Sequence, residues 1–275
     1  MNLTFEWRWP RVLAHRGGGA LAPENTLAAI DVGRAHGYRA IECDAMLAGD
    51  AVPVLIHDDT LERTTSGRGP VPALTAAQLQ RLDAGSWFDA RFAGARVPLL
   101  AEAIAHCRGH GVWMNIEIKP APGHERQTGA AVAALVAAAF EVPPAAATTA
   151  LPGAAAALPP SWPLLSSFSS DALAAAAQAA PGLPRGFLLE VVPADWHEQL
   201  VALDCMALHC DHRHLTATLA AQVKRAGFGL FCYTVNDPGR ARQLLDWGVD
   251  AFCTDRIDLI APDFAAGDGR VQPRT

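Results

Sequence analysis

Basic residues are in short supply. Twenty-two lysines and arginines face 28 aspartates and glutamates, for a net charge of −6. That deficit argues against a general binder of nucleic acid or of anionic membranes, since both need a basic face. It leaves open a small anionic substrate held by local charges. Long apolar runs are also missing. No stretch approaches the ~18 residues of a membrane-spanning helix, and proline interrupts the alanine-rich segments. The amino-terminal MNLTFEWRWPR has neither the positive start nor the apolar stretch of a secretory signal. CxxC pairs are absent as well. Cys43, Cys107, Cys205, Cys210, Cys232 and Cys253 do not have zinc-site spacing. They read as small reduced core residues, which places the protein in the cytoplasm, with no disulfide expected between Cys205 and Cys210.

What is present is an alternation of short apolar runs with helical patterns. Strand-like runs lie near positions 13, 42, 116, 166, 188, 207, 232 and 252, separated mostly by helices. Eight such units in ~250 residues predict a TIM (β/α)8 barrel. The chain reads as one domain over 1–275. Pro23-Glu24-Asn25-Thr26 opens the first helix, with Asn25 as the expected N-cap and Gly37 as the C-cap. After the strand at 39–46, Ala48-Gly49-Asp50 leaves room only for a tight turn, so 52–57 should return as an antiparallel hairpin and bring His57 alongside Glu42. Residues 59–98 read as a small insertion between strand two and the second helix, with a short helix at 76–82 and an aromatic cluster at Trp87, Phe88 and Phe92. Residues 141–163 are alanine- and proline-rich and predict an exposed loop.

The polar residues that interrupt the apolar runs gather at the carboxyl ends of the strands, where a TIM barrel builds its site. His15 and Arg16 end the first run. Glu42 and Asp44 share one face of the second, because side chains alternate along a strand. Glu117 and Lys119 share one face of the third, and Tyr233 and Asn236 end the seventh. Two carboxylates side by side in an apolar setting are costly unless a cation lies between them. Three carboxylates suit Mg²⁺ or Ca²⁺ better than zinc. Arg16 and Lys119 would bracket a phosphate, and His15 and His57 would serve as general acid and base. Together these groups suit phosphodiester cleavage. Each has a plainer reading: Lys119 as a counter-charge to Glu117, Tyr233 as packing, and Gly17-Gly18-Gly19 as a flexible loop rather than a close approach to a ligand. His209 reads as core or as a support to the site, and the remaining histidines as surface residues.

The same residues resemble the glycerophosphodiester phosphodiesterase family. The resemblance rests on His15-Arg16-Gly17 with Pro23-Glu24-Asn25-Thr26, on Glu42-Cys43-Asp44, and on His57-Asp58 with Leu61, Arg63, Thr64 and Thr65. Glu117-Ile118-Lys119, Tyr233-Thr234-Val235-Asn236 and the closing GVDAFCTD at 248–255 complete it. PENTLAAIDVG, DAGSW and PLLSSF look most like the cytoplasmic bacterial branch tied to glycerol-3-phosphate uptake. Many members carry tryptophan where this chain has Tyr233. The resemblance implies hydrolysis of glycerophosphodiesters to sn-glycerol 3-phosphate and an alcohol. Glu42, Asp44 and Glu117 would hold one divalent cation and His15 and His57 would move protons. Arg16 and Lys119 would hold the phosphate, and Glu24 would support the loop or the metal shell. It also implies a small-molecule substrate, with no nucleic acid and no stable membrane association. Two other readings remain: a lipid-active relative of the lysophospholipase D or phospholipase C type, with Trp87-Phe88 as its only membrane candidate, and a catalytically silent binding protein on the same fold.

Overall fold

The computed structural model describes residues 5–143 and 158–266. Its strands are β1 (Val12–Ala14), β2 (Ala40–Leu47), β3 (Pro53–Leu55), β4 (Trp113–Ile118), β5 (Leu164–Ser167), β6 (Arg185–Leu189), β7 (Ala207–Asp211), β8 (Gly229–Tyr233) and β9 (Ala251–Thr254). The helices are α1 (Leu27–Ala35), α2 (Ala76–Leu79), α3 (Leu100–Gly109), α4 (Glu125–Ala139), α5 (Ser170–Ala179), α6 (Trp196–Ala202), α7 (Ala217–Arg225) and α8 (Pro238–Asp246). All strands but β3 are parallel, and β1 pairs with both β9 and β2, which closes an eight-stranded barrel. This is the expected TIM architecture. No helix among the described residues is long and apolar enough to cross a membrane.

The hairpin forms as β2 and β3, with Leu55 opposite Ala45. The Ile56 N–H donates to the Asp44 carbonyl at 3.1 Å. His57 therefore follows one step beyond the level of Asp44, and it lines the same cavity as Glu42 and Asp44. The turn is longer than Ala48-Gly49-Asp50: the Ala48 N–H closes on the Val52 carbonyl, and Ala51 takes the left-handed φ of 62°.

Two helix boundaries also differ. Thr26, not Asn25, caps α1: its hydroxyl accepts from the Ala29 N–H at 3.0 Å. At the other end His36 is the cap and Gly37 follows it at φ +87°. The short helix α2 stops at Leu79 instead of Leu82, because the chain turns there toward Asp83, whose carboxylate collects donors from the next loop.

Three apolar clusters divide the interior. The largest lies between the strands and the surrounding helices. A second fills the amino end of the barrel, where Trp9 stacks on Trp113 at 5.4 Å and Trp7 lies against Phe231 at 6.2 Å. A third lies beneath residues 59–98, built on Leu61, Val71, Leu79 and Val97 against Val54 and Ile56. Of the alanine- and proline-rich segment, 144–157 lies outside the described residues. Its far flank is an irregular segment anchored at its ends, with Leu158 buried in the aromatic cluster and the Trp113 indole donating to the Trp162 carbonyl at 2.8 Å, while residues 159–161 between them are exposed. All six cysteines are free and buried.

Candidate active site

The carboxyl end of the barrel opens into a cavity of about 230 Å³ lined by His15, Arg16, Glu42, Asp44, His57, Glu117, Lys119 and Tyr233. Strand register accounts for the acids. Asp44 on β2 is the cross-strand partner of Glu117 on β4, and Glu42 is that of Asn115. Alternation then turns both β2 carboxylates inward beside Glu117. One ligand oxygen from each of Glu42, Asp44 and Glu117 lies within 4.8 Å of the others, and all three side chains are buried.

Three buried carboxylates this close cannot all hold their charge unaided. Burial first, then the charges of Asp44 and Glu117, drives Glu42 well above the usual carboxylate range. Burial and Asp44 push Glu117 up to about 7. Burial acts on Asp44 in the same direction, but the charges of Arg16 and Lys119 and the hydrogen bond from Asn25 outweigh it and hold Asp44 below the usual range. Glu117 Oε1 lies 3.0 Å from Lys119 Nζ as an ion pair, yet it is buried without a properly aligned hydrogen bond. The orphaned oxygen, the all-oxygen donor set and the crowding of like charges fit a hard divalent cation.

Each imidazole is held by a carboxylate at its Nδ1. His15 Nδ1 lies 2.6 Å from Asp255 Oδ1, and His57 Nδ1 lies 2.6 Å from Asp58 Oδ1. An ionised carboxylate only accepts, so Nδ1 carries the proton in both rings and Nε2 is left free. For His15 that atom points toward Glu42, 3.7 Å away. Burial is the largest influence on His57 and lowers its pKa, which favours the neutral ring. Arg63 grips Asp58 through two nitrogens at 2.5 and 2.9 Å and reaches Glu24 at 2.7 and 2.8 Å. Glu24 in turn accepts from Arg16 at 2.7 Å. A chain of charges therefore runs from His57 to Arg16.

Of the residues given catalytic, metal-binding or substrate-binding roles from the sequence, all but Glu24 line this cavity; Asn236, which also ends its strand run, does not line it and holds Asp255 instead. Glu24 sits behind Arg16 and is taken up by two guanidinium groups. Arg16 adopts φ 52° and Asn25 φ 58°, left-handed values that are uncommon for non-glycine residues and that asparagine tolerates better than arginine. The glycine run approaches backbone rather than ligand: a β-carbon on Gly19 would strike the Asp255 carbonyl.

Several residues take tasks that the sequence reading did not give them. Asn25 grips Asp44 from both sides, its amide donating to Oδ2 at 2.8 Å and its carbonyl accepting from the Asp44 N–H at 3.0 Å. Asp255 could have been found as an acid at the end of the last strand, which closure sets beside the first. Asn115, Ser166, Phe168 and His209 complete the wall. His209 is fully buried, stacks on Phe231 at 4.6 Å and has no hydrogen-bond partner; burial lowers its pKa to about 3.

Residues 15–259 match the glycerophosphoryl diester phosphodiesterase family. A glycerophosphodiester phosphodiesterase from Caldanaerobacter subterraneus subsp. tengcongensis is 31% identical over 89% of this chain and 93% of its own length. Among solved structures, a phosphodiesterase from Oleispira antarctica in complex with the product sn-glycerol-3-phosphate is 35% identical, covering 90% of this chain and 93% of that one at a TM-score of 0.77. A glycerophosphodiester phosphodiesterase from Agrobacterium tumefaciens is 29% identical, covering 94% and 99%, at a TM-score of 0.73.

Proposed function

The chain belongs to the glycerophosphoryl diester phosphodiesterase family, and from that premise we propose that it hydrolyses glycerophosphodiesters to sn-glycerol 3-phosphate and an alcohol. The observation that carries this reading is one cavity lined by three close carboxylates, two histidines each held at Nδ1 by a carboxylate, and two cationic side chains. Glu42, Asp44 and Glu117 hold a divalent cation, Mg²⁺ or Ca²⁺. When bound, that cation supplies Lewis-acid stabilisation of charge on the phosphoryl oxygens.

Arg16 and Lys119 hold the phosphate and offset the charge that builds as the attacking oxygen adds. His57, whose neutral form burial favours, accepts the proton of the attacking hydroxyl. His15 acts in its imidazolium form, stabilised by Asp255 at Nδ1, and gives its Nε2 proton to the departing alkoxide. Glu24 acts through Arg16, which it orients, and Tyr233 packs beside the glycerol. The attacking hydroxyl is the glycerol 2-hydroxyl: its oxygen bonds to phosphorus and the bond to the alcohol breaks; water, giving a proton to His15, then opens the cyclic phosphate as His57 returns its proton to the 2-oxygen. A substrate without that hydroxyl should resist cleavage, and its turnover at the full rate would remove this step.

Residues 59–98 form an insertion on a single catalytic domain. The six free, buried cysteines support a cytoplasmic location, and the acidic net charge supports a small diester, not nucleic acid or a membrane, as the partner. The deciding experiment measures release of sn-glycerol 3-phosphate from several diesters, before and after chelation and on return of Mg²⁺ or Ca²⁺. Release that stops with chelator and resumes with metal is expected. No release from any diester, or release indifferent to chelator, would overturn the proposal.

A further inference from the structure

Behind His15 and Arg16 lies a second cavity, of about 370 Å³, which shares those two residues with the barrel pocket. Its outer wall is Trp87 and Phe88, from the insertion. Their rings meet edge to face at 5.6 Å, and Phe88 leans on Phe92 at 5.7 Å. Trp87 is 40% exposed, one of few large apolar side chains left so open. Ligand pockets are typically lined by aromatic side chains together with a few placed polar groups.

The loop that carries it is prebuilt. The Asp83 carboxylate accepts from the Gly85, Ser86 and Gly94 N–H groups and from the Ser86 hydroxyl, all at 2.7–2.8 Å. A β-carbon on Gly85 would run into the Phe92 carbonyl, so only glycine lets the loop close. The Trp87 indole N–H is already spent on the Ala84 carbonyl at 2.9 Å. What remains for a ligand is the apolar face of a ring whose position is set.

The two cavities differ in what they offer. The barrel pocket holds buried polar atoms without partners, Asn115 Oδ1 and the Tyr233 hydroxyl, which suits a polyol. In the outer groove the charges are matched: Arg16 and Arg63 bind Glu24, and Asp255 binds His15. A balanced groove walled by aromatic rings cannot repay the dehydration of a strongly hydrated head group. It can seat a soft, weakly hydrated one against a ring face.

We propose that the groove receives the leaving-alcohol half of the substrate, with Trp87 as the specificity-determining contact for alcohols that end in a quaternary ammonium. This rests on the phosphodiesterase reading. It places the phosphate at Arg16, the glycerol in the barrel, and the departing oxygen next to His15, the wall common to both cavities.

The test compares kcat and KM for glycerophosphocholine, glycerophosphoethanolamine and bis(glycero)phosphate in the wild-type enzyme and in Trp87→Ala, Trp87→Leu and Trp87→Phe. Loss of the ring should cut kcat/KM for the choline ester by about 5- to 30-fold, the worth of one cation–π contact, with the loss in KM. The other two diesters should fall by less than about threefold, and Trp87→Phe should retain most of the choline preference. Thermal melting checks folding, and Trp87→Leu keeps the apolar bulk should alanine open the loop. An equal loss on all three diesters, a loss confined to kcat, or no loss would overturn the assignment. So would a larger loss on lysophosphatidylcholine than on glycerophosphocholine, which would give the groove to an acyl chain. A wild-type enzyme that cleaves none of the diesters would instead sink the phosphodiesterase reading itself.

Discussion

The two histidine–carboxylate pairs have the same 2.6 Å contact at the same ring nitrogen but different origins. His57 finds its acid in the next residue, Asp58, and Arg63 clamps that acid from five residues on. This half of the site is local and comes with the hairpin and the turn that follows it. His15 finds its acid 240 residues away. That contact exists only because β1 lies against β9, with Ala14 opposite Thr254, and because Asn236 holds the other oxygen of Asp255 at 2.9 Å. Equivalent local chemistry can therefore be written into adjacent residues or deferred to closure of the barrel. The deferred pair depends on the whole fold, and the adjacent pair does not.

Removing either ring is the largest disturbance. His15→Ala and His57→Ala should each lower kcat about 10²- to 10⁴-fold, with folding and metal uptake unchanged. A nitrophenyl leaving group separates them: it needs no proton, so the His15 variant should recover most of its rate and the His57 variant should not. Equal recovery would erase the distinction of roles.

The partners come next. Asp255→Asn and Asp58→Asn should each lower kcat on the order of 10²-fold, since each leaves a ring without its orienting acceptor. Asp58→Asn should raise KM as well, because it frees Arg63 and through Glu24 loosens Arg16. If Asp255→Asn raised KM just as much, the local pair would have lost its extra link.

Between the pairs stand the acids. Glu117 binds a proton more tightly folded, at about 7, than unfolded, near about 4.3. Its stabilising contribution to the metal-free protein is thus present at low pH and lost as pH rises through about 7. A divalent cation reverses this by favouring the ionised form. At saturating Mg²⁺ or Ca²⁺ the Tm should rise by about 5–10 °C at pH 8 and by clearly less at pH 5. A shift of equal size at both values would separate metal binding from these carboxylates.

The smallest effects fall on the outer supports. Arg63→Met and Asn236→Ala should each cost about threefold in kcat/KM, in keeping with partly exposed contacts. Arg63→Met should weaken His57 and Arg16, and Asn236→Ala only His15, which the nitrophenyl substrate again tells apart.

Much of this site is visible in one dimension. HRG at the end of a strand, two acids one residue apart, a third acid before a lysine, and a histidine returned by a hairpin each speak through local rules: alternation sets the face and the turn sets the return. Asn25 shows where such rules mislead. Its position before α1 looks like a cap, but Thr26 takes that task and frees the amide to hold Asp44. No local pattern reveals this, because the competitor for Asn25 lies on another element.

The sequence alone determined the chemistry available, the strand ends that carry it, and one complete histidine–carboxylate pair. Tertiary structure decided that Asp44 stands beside Glu117, that His15 has Asp255 as its partner, and that Trp87 faces the groove. The physical reason is that alternation and turns act over a few residues, whereas strand neighbours and register follow from closing the barrel around its core, to which the whole chain contributes.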